Sequence, residues 1–279
     1  MSGELAERLT TIIGGPEREI RLTEAALLVA THRYPNLDVR YYLDTIEDFG
    51  DTVARQIAGD SSTADKVMAL NRYLFDQLGF APNAQDYFDP RNSFLNDVVE
   101  RRTGIPITLS LVYMAVGNHL GLTLNGVCYP GHFLVKCDMP HGIIVLDPFS
   151  RGRSLDIGDL QRLLRETQGG EVSRAIVTAC LAAASKREIL LRMLRNLKTI
   201  YMRNQELESA LAILNWIVAA NPRQAAEIRD RGMVYQGLDC FRAAVTDFER
   251  YLELVPDCSD GDDIRERVLQ LRRSVSLLN

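Results

Sequence analysis

The sequence lacks any apolar run that approaches the length of a membrane span, which takes roughly 20 residues. Its first residues, Met-Ser-Gly-Glu-Leu-Ala-Glu-Arg, also lack the pattern of a signal peptide. The net charge is -5, so no basic surface of the kind that binds nucleic acid is indicated. These absences predict a cytoplasmic protein with neither a membrane nor a nucleic acid as its partner.

Cysteine and histidine are both scarce, and neither is spaced for metal binding. The five cysteines are an odd number without a Cys-x-x-Cys pair, which argues against a disulfide framework and against a zinc site. The four histidines include no pair at i, i+4 and lie near no cysteine pair. We therefore expect buried reduced thiols, no metal site and no cofactor.

What the chain does contain is the composition of a globular protein, with 46% apolar and 25% charged residues over 279 positions. That length has room for two domains. In the first hundred residues, apolar side chains recur at helical spacing, which predicts helices at 22–31, 39–57 and 63–78. Asp38 and the pair Ser61 and Ser62 stand where helix caps are expected.

The middle of the chain combines helices and strands. We expect an irregular loop at 81–92, a short helix at 94–102 that Gly104 ends, and a buried central helix at 106–120. Strands follow at 123–128, 131–137 and 143–146. Helices first and an antiparallel sheet after them define an α+β fold.

The last two predicted strands bring a histidine and an aspartate together. The segment Asp138-Met-Pro-His141 connects these strands as a hairpin. A symmetric hairpin that pairs residue 137 with residue 142 also places His132 opposite Asp147. We predict a hydrogen bond between these two side chains, because an imidazole N–H then reaches the carboxylate.

From residue 185 onward the sequence repeats itself with a period of 34 residues, the period of tetratricopeptide repeats. The repeated anchors are Tyr201 and Tyr235, Ala210 and Ala244, and Pro222 and Pro256. Small alanines let the two helices of a pair approach, and each proline stops a helix. Lys198 and Arg231 depart from the glycine and the leucine usual at their positions. Residues 263–278 are expected to form a capping helix.

Four motifs precede these repeats: Asp89-Pro-Arg-Asn-Ser-Phe-Leu-Asn-Asp97, Arg101-Arg-Thr-Gly-Ile-Pro106, Pro130-Gly-His-Phe133 and Asp147-Pro-Phe149. With the repeats, they resemble the bacterial SirB-type family, and the resemblance covers nearly the whole chain. It implies a transglutaminase-like domain with a papain-like core at residues 1–168 and a helical repeat domain at 185–279. The boundary is expected in the turn-like stretch 167–173.

The resemblance also implies a catalytic site that has lost one member. In transglutaminase-like proteins a cysteine at the first turn of the central helix attacks a carbonyl, a histidine acts as the base and an aspartate orients it. The resemblance assigns the last two roles to His132 and Asp147, and it places Pro106 where the cysteine stands. Proline has neither a thiol nor a hydroxyl, so it cannot be the nucleophile. The sequence therefore favours a relic dyad in a pseudoenzyme.

Two other residues are candidate nucleophiles. Cys128 precedes His132 by four residues, but Pro130 and Gly131 interrupt the strand, and a papain-like thiolate needs a helix N-terminus. Thr108 lies in the first turns of the central helix, where threonine usually bonds a carbonyl of the preceding turn. The alternative function is thus an active hydrolase or acyltransferase that uses His132 and Asp147 with Cys128, Thr108 or a water.

A peptide or protein partner is the expected ligand of both domains. The candidate groove-binding residues are Arg91, Asn96, Arg101, Pro106 and Thr108. The arginines supply fork-shaped donors for a carboxylate or a peptide backbone. The alternative for this polar cluster is a purely structural role, in which its side chains cap helices and pin loops. We favour the structural role for Asp89 and Asn92. The concave surface of stacked repeats is used mainly for partner binding, although two repeats and a cap can also simply brace the core.

Overall fold

The computed structural model describes residues 2–277, with side chains from residue 7 to residue 276. Its α-helices are α1 Ser2–Gly14, α2 Leu22–Val29, α3 Val39–Gln56, α4 Thr63–Asn71, α5 Leu95–Arg101, α6 Pro106–His119, α7 Ile157–Gln168, α8 Arg174–Cys180, α9 Lys186–Arg203, α10 Leu207–Ala220, α11 Ala225–Gly237, α12 Phe241–Leu254 and α13 Gly261–Leu277. Its strands are β1 Ala81–Pro82, β2 Thr103–Gly104, β3 Leu124–Val127, β4 Leu134–Met139, β5 Gly142–Asp147 and β6 Arg153–Leu155.

The described chain forms two compact units. The first comprises residues 17–193 with the start of α1, and the second comprises residues 7–16 with everything from residue 194 onward. The first unit mixes helices with an antiparallel sheet, and the second is helical, so the predicted α+β fold followed by a helical repeat region is confirmed. No helix in the described part of the chain is long and apolar enough to cross a membrane.

The central helix α6 organises the first unit. Its residues are apolar on nearly every face, and a helix of this kind must be surrounded by other elements. It packs against α3, α4 and α5 as well as against β3 and β4. Pro106 begins the helix, at the position where a missing N–H costs nothing. The predicted central helix and its proline start are therefore present.

The sheet has the order β3-β4-β5-β6, and every neighbouring pair is antiparallel. Leu134 of β4 packs with Leu160 and Leu164 of α7 and Val177 of α8 in one buried cluster. The sequence patterns did not predict β6, α7 or α8. A strand of three residues is too short to show alternation, and it is defined here by pairing with β5.

The register of the β4–β5 hairpin differs from the prediction. Residue 137 was expected opposite residue 142, but Cys137 faces Ile144 and Met139 faces Gly142. The connection is thus only two residues long, the length that antiparallel strands favour. A shift of two positions leaves every side chain on its expected face of the sheet, since side chains alternate with period two.

The short helix α5 ends differently from the prediction. Gly104 was expected to terminate it, but the left-handed residue is Arg102, with φ 56. Its guanidinium lies 4.7 Å from the ring centre of Phe49 and 5.0 Å from that of Phe80. These cation–π contacts stabilise a backbone conformation that arginine rarely adopts. Gly104 instead belongs to β2, which pairs in parallel with β1 in the segment expected to be a loop.

The helix predicted at 63–78 is also shorter. The capping box of Ser62 and Asp65 starts α4 as expected, and Asp38 caps α3 by accepting from the Tyr41 amide at 3.0 Å. After Asn71 the chain continues as a π-helical turn, Arg72–Gln77. In that turn Tyr73, Leu74 and Phe75 are all buried.

The second unit contains residues 7–16, the part of α9 from residue 194 onward, and helices α10 to α13. In chain order, the helix pairs α9–α10 and α11–α12 are followed by α13. Ala210 and Ala244 are fully buried, as expected of residues that let paired helices approach. Ala244 shares a core cluster with Ile228, Phe248 and Ile264. The capping helix runs over Gly261–Leu277, and residue 278 of the predicted range lies outside the described residues.

The close approach of α11 and α12 yields a stability prediction. A Cβ at Gly232 would lie 2.7 Å from the Phe248 ring, and Phe248 is fully buried and cannot move away. Gly232→Ala should therefore lower the free energy of unfolding of the second unit by about 1–3 kcal/mol. Fluorescence of the single tryptophan, Trp216 in α10, measures this unfolding in urea.

The control for this prediction is Gly14→Ala at the end of α1. A Cβ there meets no atom within 4 Å, so the change should be neutral or stabilise the helix by up to about 1 kcal/mol. Equal unfolding midpoints for the two variants would contradict the packing argument.

Candidate functional site

The predicted histidine–aspartate pair is present in the first unit. Nε2 of His132 lies 3.0 Å from Oδ1 of Asp147, and both side chains are nearly buried. A carboxylate only accepts, so Nε2 carries the hydrogen of this bond. The hydrogen bond was predicted correctly, but His132 lies in a bend two residues before β4 rather than within a strand.

Asp147 holds more than the imidazole. Its Oδ1 accepts from the Phe149 amide at 3.0 Å, and its Oδ2 accepts from Oγ of Ser150 at 2.7 Å. Asp147 thereby caps the 3-10 turn Pro148–Ser150 that follows β5. Burial alone would raise the pKa of Asp147, but the hydrogen bonds from His132, Ser150 and Phe149 outweigh burial and lower it. The carboxyl is therefore ionised at neutral pH.

The bend that carries His132 is rigidly held. The His132 amide donates to the Tyr129 carbonyl at 3.0 Å, and the buried Tyr129 hydroxyl donates to the Leu160 carbonyl at 2.8 Å. Gly131 has φ +71, and a Cβ there would lie 2.3 Å from Oγ1 of Thr167. Only glycine fits this position. The ring of Phe149 meets the imidazole edge to face, with centroids 5.9 Å apart.

Pro106, at the position where the resemblance implies a nucleophile, is buried. It stands at the first position of α6, which packs against the Pro148–Ser150 turn. Thr108 is fully buried, and its hydroxyl donates to the Asn92 carbonyl at 2.7 Å and accepts from the Ile105 amide at 3.1 Å. Thr108 thus pins the start of α6 and faces no groove in this structure. Cys128 is half-buried just after β3 and not at a helix N-terminus.

Two candidate groove arginines converge on Asp89 instead of standing free. Nε of Arg91 lies 3.0 Å from Oδ2 of Asp89, and Nη2 of Arg101 lies 3.3 Å from the same oxygen. Burial opposes ionisation of Asp89, but the bonds from Arg91 and the charge of Arg101 lower its pKa. Nη1 of Arg101 is buried without a hydrogen-bond partner among the described residues.

Asn92 and Asn96 have different surroundings although both are nearly fully buried. Nδ2 of Asn92 donates to the Asp86 carbonyl at 2.7 Å, and its Oδ1 accepts from Asn83 at 3.1 Å. Asn92 therefore pins the loop before α5, the role favoured from its sequence context. Asn96 instead lines a pocket with Asp97 and Tyr34. No pattern in the sequence indicates that Tyr34 lies near Asn96.

Sequence reasoning missed Ser150 and Tyr34. Ser150 follows the capping Asp147 by three residues with a proline at the first turn position, a local pattern that could have identified it. Tyr34 is 63 positions from Asp97, to which its hydroxyl donates at 2.8 Å, so no local signal connects them. Among the described residues, no group of three or more histidine, cysteine or carboxylate side chains could hold a metal.

Comparison with known proteins identifies both parts of the chain. Residues 40–195 match the transglutaminase-like superfamily model, and residues 197–269 match a tetratricopeptide-repeat model. A UPF0162 protein of Xylella fastidiosa (strain Temecula1) is 38% identical over 257 residues, which cover 91% of each chain. A UPF0162 protein of Pseudomonas aeruginosa is 31% identical over 250 residues, which cover 90% of each. Protein SirB1 of Salmonella typhimurium is 25% identical over 238 residues, covering 84% of this chain and 86% of SirB1.

A transglutaminase-like domain joined to tetratricopeptide repeats is the class that the fold and these matches define, and the chain belongs to the transglutaminase-like superfamily. Within that superfamily it is a member of the SirB-type family, as its relatives and its repeats show.

The hydrogen bonds of Asp147 lead to a stability prediction. Asp147→Ala leaves the donors of His132, Phe149 and Ser150 without their acceptor, so the first unit should lose roughly 1–3 kcal/mol of unfolding free energy. Asp147→Asn keeps the shape and one acceptor, and should lose less. Far-ultraviolet circular dichroism in urea measures the loss, and the fluorescence transition of Trp216 in the second unit serves as the control.

The same group predicts a pH dependence. The folded pKa of Asp147 lies below its unfolded value of about 3.9, so the ionised carboxyl stabilises the fold above that pH. This contribution is lost as the pH falls through the folded pKa. The stability difference between wild type and Asp147→Asn should therefore shrink between pH 7 and pH 3. A difference independent of pH would contradict a stabilising charge.

Proposed function

We infer that the protein is a non-catalytic binding protein, a pseudoenzyme that holds a segment of a peptide or protein partner in the groove of its transglutaminase-like domain. The observation that carries this inference is Pro106 at the first position of α6. The resemblance to the superfamily implies a nucleophilic cysteine at or beside this position, and proline offers neither a thiol nor a hydroxyl. A base with its orienting carboxylate does not perform acyl transfer by covalent catalysis alone.

Both replacement nucleophiles are poorly placed. Cys128 lacks the helix N-terminus that lowers the pKa of a papain-like thiol. The Thr108 hydroxyl is buried and donates its hydrogen to a backbone carbonyl. An active hydrolase or acyltransferase that uses His132 and Asp147 with Cys128, Thr108 or a water is therefore the weaker candidate.

The arginines around Asp89 support recognition of a peptide. The guanidinium of Arg91 bonds Asp89 on one side while 57% of its side chain remains exposed. Nη1 of Arg101 is a buried donor that no described residue accepts from. A carboxylate or backbone carbonyl of the partner would satisfy such donors. In this proposal the groove lies within residues 1–168. The buried residues Asn96, Pro106 and Thr108 form the layer beneath its surface.

The repeat region, proposed as residues 185–279, supplies a second surface. Tetratricopeptide repeats generally bind proteins through the concave face of their stacked helix pairs. Ion pairs hold the first helices of successive pairs in place: Arg195 with Glu227 at 2.6 Å, and Lys198 with Asp230 at 2.7 Å. A surface fixed in this way is preorganised to bind the same partner as the groove or another one.

Labelling of the full chain with a thiol-directed activity probe tests for an enzyme. We expect Cys128 to react no faster than the exposed Cys240, with or without His132→Ala, because Cys128 does not stand at a helix N-terminus that would lower the pKa of its thiol. Peptide and amide substrates should not be turned over. Mass spectrometry locates the label, and labelling concentrated at Cys128 and lost in His132→Ala would establish the rival enzyme.

Affinity capture from a lysate of the source organism tests the repeats. Ala244→Trp forces tryptophan between tightly packed helices, at a cost of about 1–3 kcal/mol or more, and should lose the partner. Ala182→Trp introduces the same side chain at an exposed position before α9 and should retain it. Equal capture by both variants would assign recognition to the groove and reduce the repeats to a brace.

A further inference from the structure

A recess that the residues of the dyad do not line lies in the first unit. It has a volume of about 500 Å³ and lies between the loop after α2, the first turn of α3 and one side of α5. Its lining includes Tyr34, Tyr41, Tyr42, Asn96, Asp97 and Glu100. Neither His132 nor Asp147 contributes to the lining. The volume is within the range of small-molecule sites.

The charges that line this recess are mainly negative. Asp38, Asp97 and Glu100 face one arginine, Arg33. Asp38 already caps α3. Tyr34 donates to Asp97 at 2.8 Å and Tyr42 donates to Glu100, so each of these carboxylates is held in place by a neutral donor. Neither receives a direct ion pair among the described residues, in contrast to Asp89.

The raised pKa of Asp97 agrees with its lack of a direct ion pair in the described part of the chain, in contrast to the lowered pKa of Asp89. Burial raises the pKa of Asp97, and the bond from Tyr34 and the more distant charges of Arg101 and Arg91 do not offset that effect. Asp97 is only 8% exposed. A buried carboxylate in this state is stabilised by any cation that reaches it.

Asn96 provides an independent indication of a ligand. Its side chain is 3% exposed, and its Oδ1 is buried without a hydrogen-bond partner in the described part of the chain. Buried amide oxygens are normally bonded, because an unmade bond costs about 1–3 kcal/mol. Asn96 lines the recess, but its Oδ1 has almost no exposed surface, so a donor bound there satisfies it only after the side chains that cover it move.

The aromatic rings favour one kind of cation. Tyr41 and Tyr42 stand edge to face with ring centroids 5.1 Å apart, and Tyr41 is 59% exposed at the mouth of the recess. Tyrosine faces attract organic cations, and their apolar carbon surface suits an alkyl chain. A hydrated inorganic ion would gain less from such walls.

We propose that this recess binds an alkylammonium group. Asp97 and Glu100 are its counter-ions, the amide of Asn96 accepts one of its hydrogens, and the tyrosines enclose its carbon chain. The group has two sources, a free polyamine or the lysine side chain of a bound peptide. The proposal goes beyond the binding function inferred above and does not rest on it.

Titration calorimetry on the full chain tests the proposal with three probes: spermidine, the blocked peptide Gly-Gly-Lys-Gly-Gly, and the same peptide with norleucine for lysine. We expect spermidine or the lysine peptide to bind, and the norleucine peptide not to bind. Tighter binding of spermidine identifies a free polyamine as the source, and tighter binding of the lysine peptide identifies a peptide side chain.

Matched variants locate the binding. Asp97→Asn keeps the shape and can still accept from Tyr34, so it should fold normally while weakening the bound probe at least tenfold. Glu100→Gln should weaken it as well. Asp60→Asn makes the same charge change at an exposed position and should leave affinity unaltered. The proposal is overturned if neither amine binds wild type, or if Asp97→Asn and Asp60→Asn bind it as wild type does.

Discussion

The candidate site depends on the hydrogen bonds that the carboxylate of Asp147 accepts. Through hydrogen bonds of 2.7 to 3.0 Å, this carboxylate joins the bend that carries His132 to the turn that follows β5. That turn packs against α6, the buried helix around which the first unit is built. A single ionised group therefore connects the imidazole to the turn that packs against α6. Its low pKa follows from the same bonds.

This arrangement gives the dyad a structural role of its own. His132 and Asp147 satisfy each other's hydrogen-bonding needs in a nearly buried place, and Asp147 also caps a turn. The pair thus has a structural role that does not require catalysis. Pro106 has a structural role as well, because it starts α6 at the position where proline is best tolerated. Both residues therefore contribute to the fold whether or not the site is catalytic.

In the second unit, the two departures from the usual repeat residues are both partnered. Lys198 pairs with Asp230 of the next repeat, and Arg231 bonds the nearly buried Asp247 at 2.6 Å. Arg231 also donates to Asn215 at 3.1 Å, which connects α11 to both α12 and α10. Polar contacts here replace the close packing that glycine and leucine provide elsewhere. Such pairs specify which helices meet, because an unpaired buried charge is costly.

Much of the fold was predictable from local patterns. The caps at Asp38 and Ser62, the start of α6 at Pro106 and the 34-residue repeat depend on residues close in sequence or on simple periodicity. The contact between His132 and Asp147 was predicted from a symmetric hairpin, but the observed pairing is shifted by two positions. His132 lies in a bend before β4, so the bend and not the strand register brings it to Asp147.

The sequence by itself thus determined the central helix, the order of helices before the antiparallel sheet, the repeat and the two residues of the dyad, since spacing along the chain carries that information. Only the tertiary structure decided that Arg102 takes the left-handed position, that Arg91 and Arg101 turn onto Asp89, and that Tyr34 reaches Asp97. Those outcomes depend on burial and on partners up to 63 positions away. No local pattern encodes them, because the free energy of a buried polar group is set by whichever distant groups surround it.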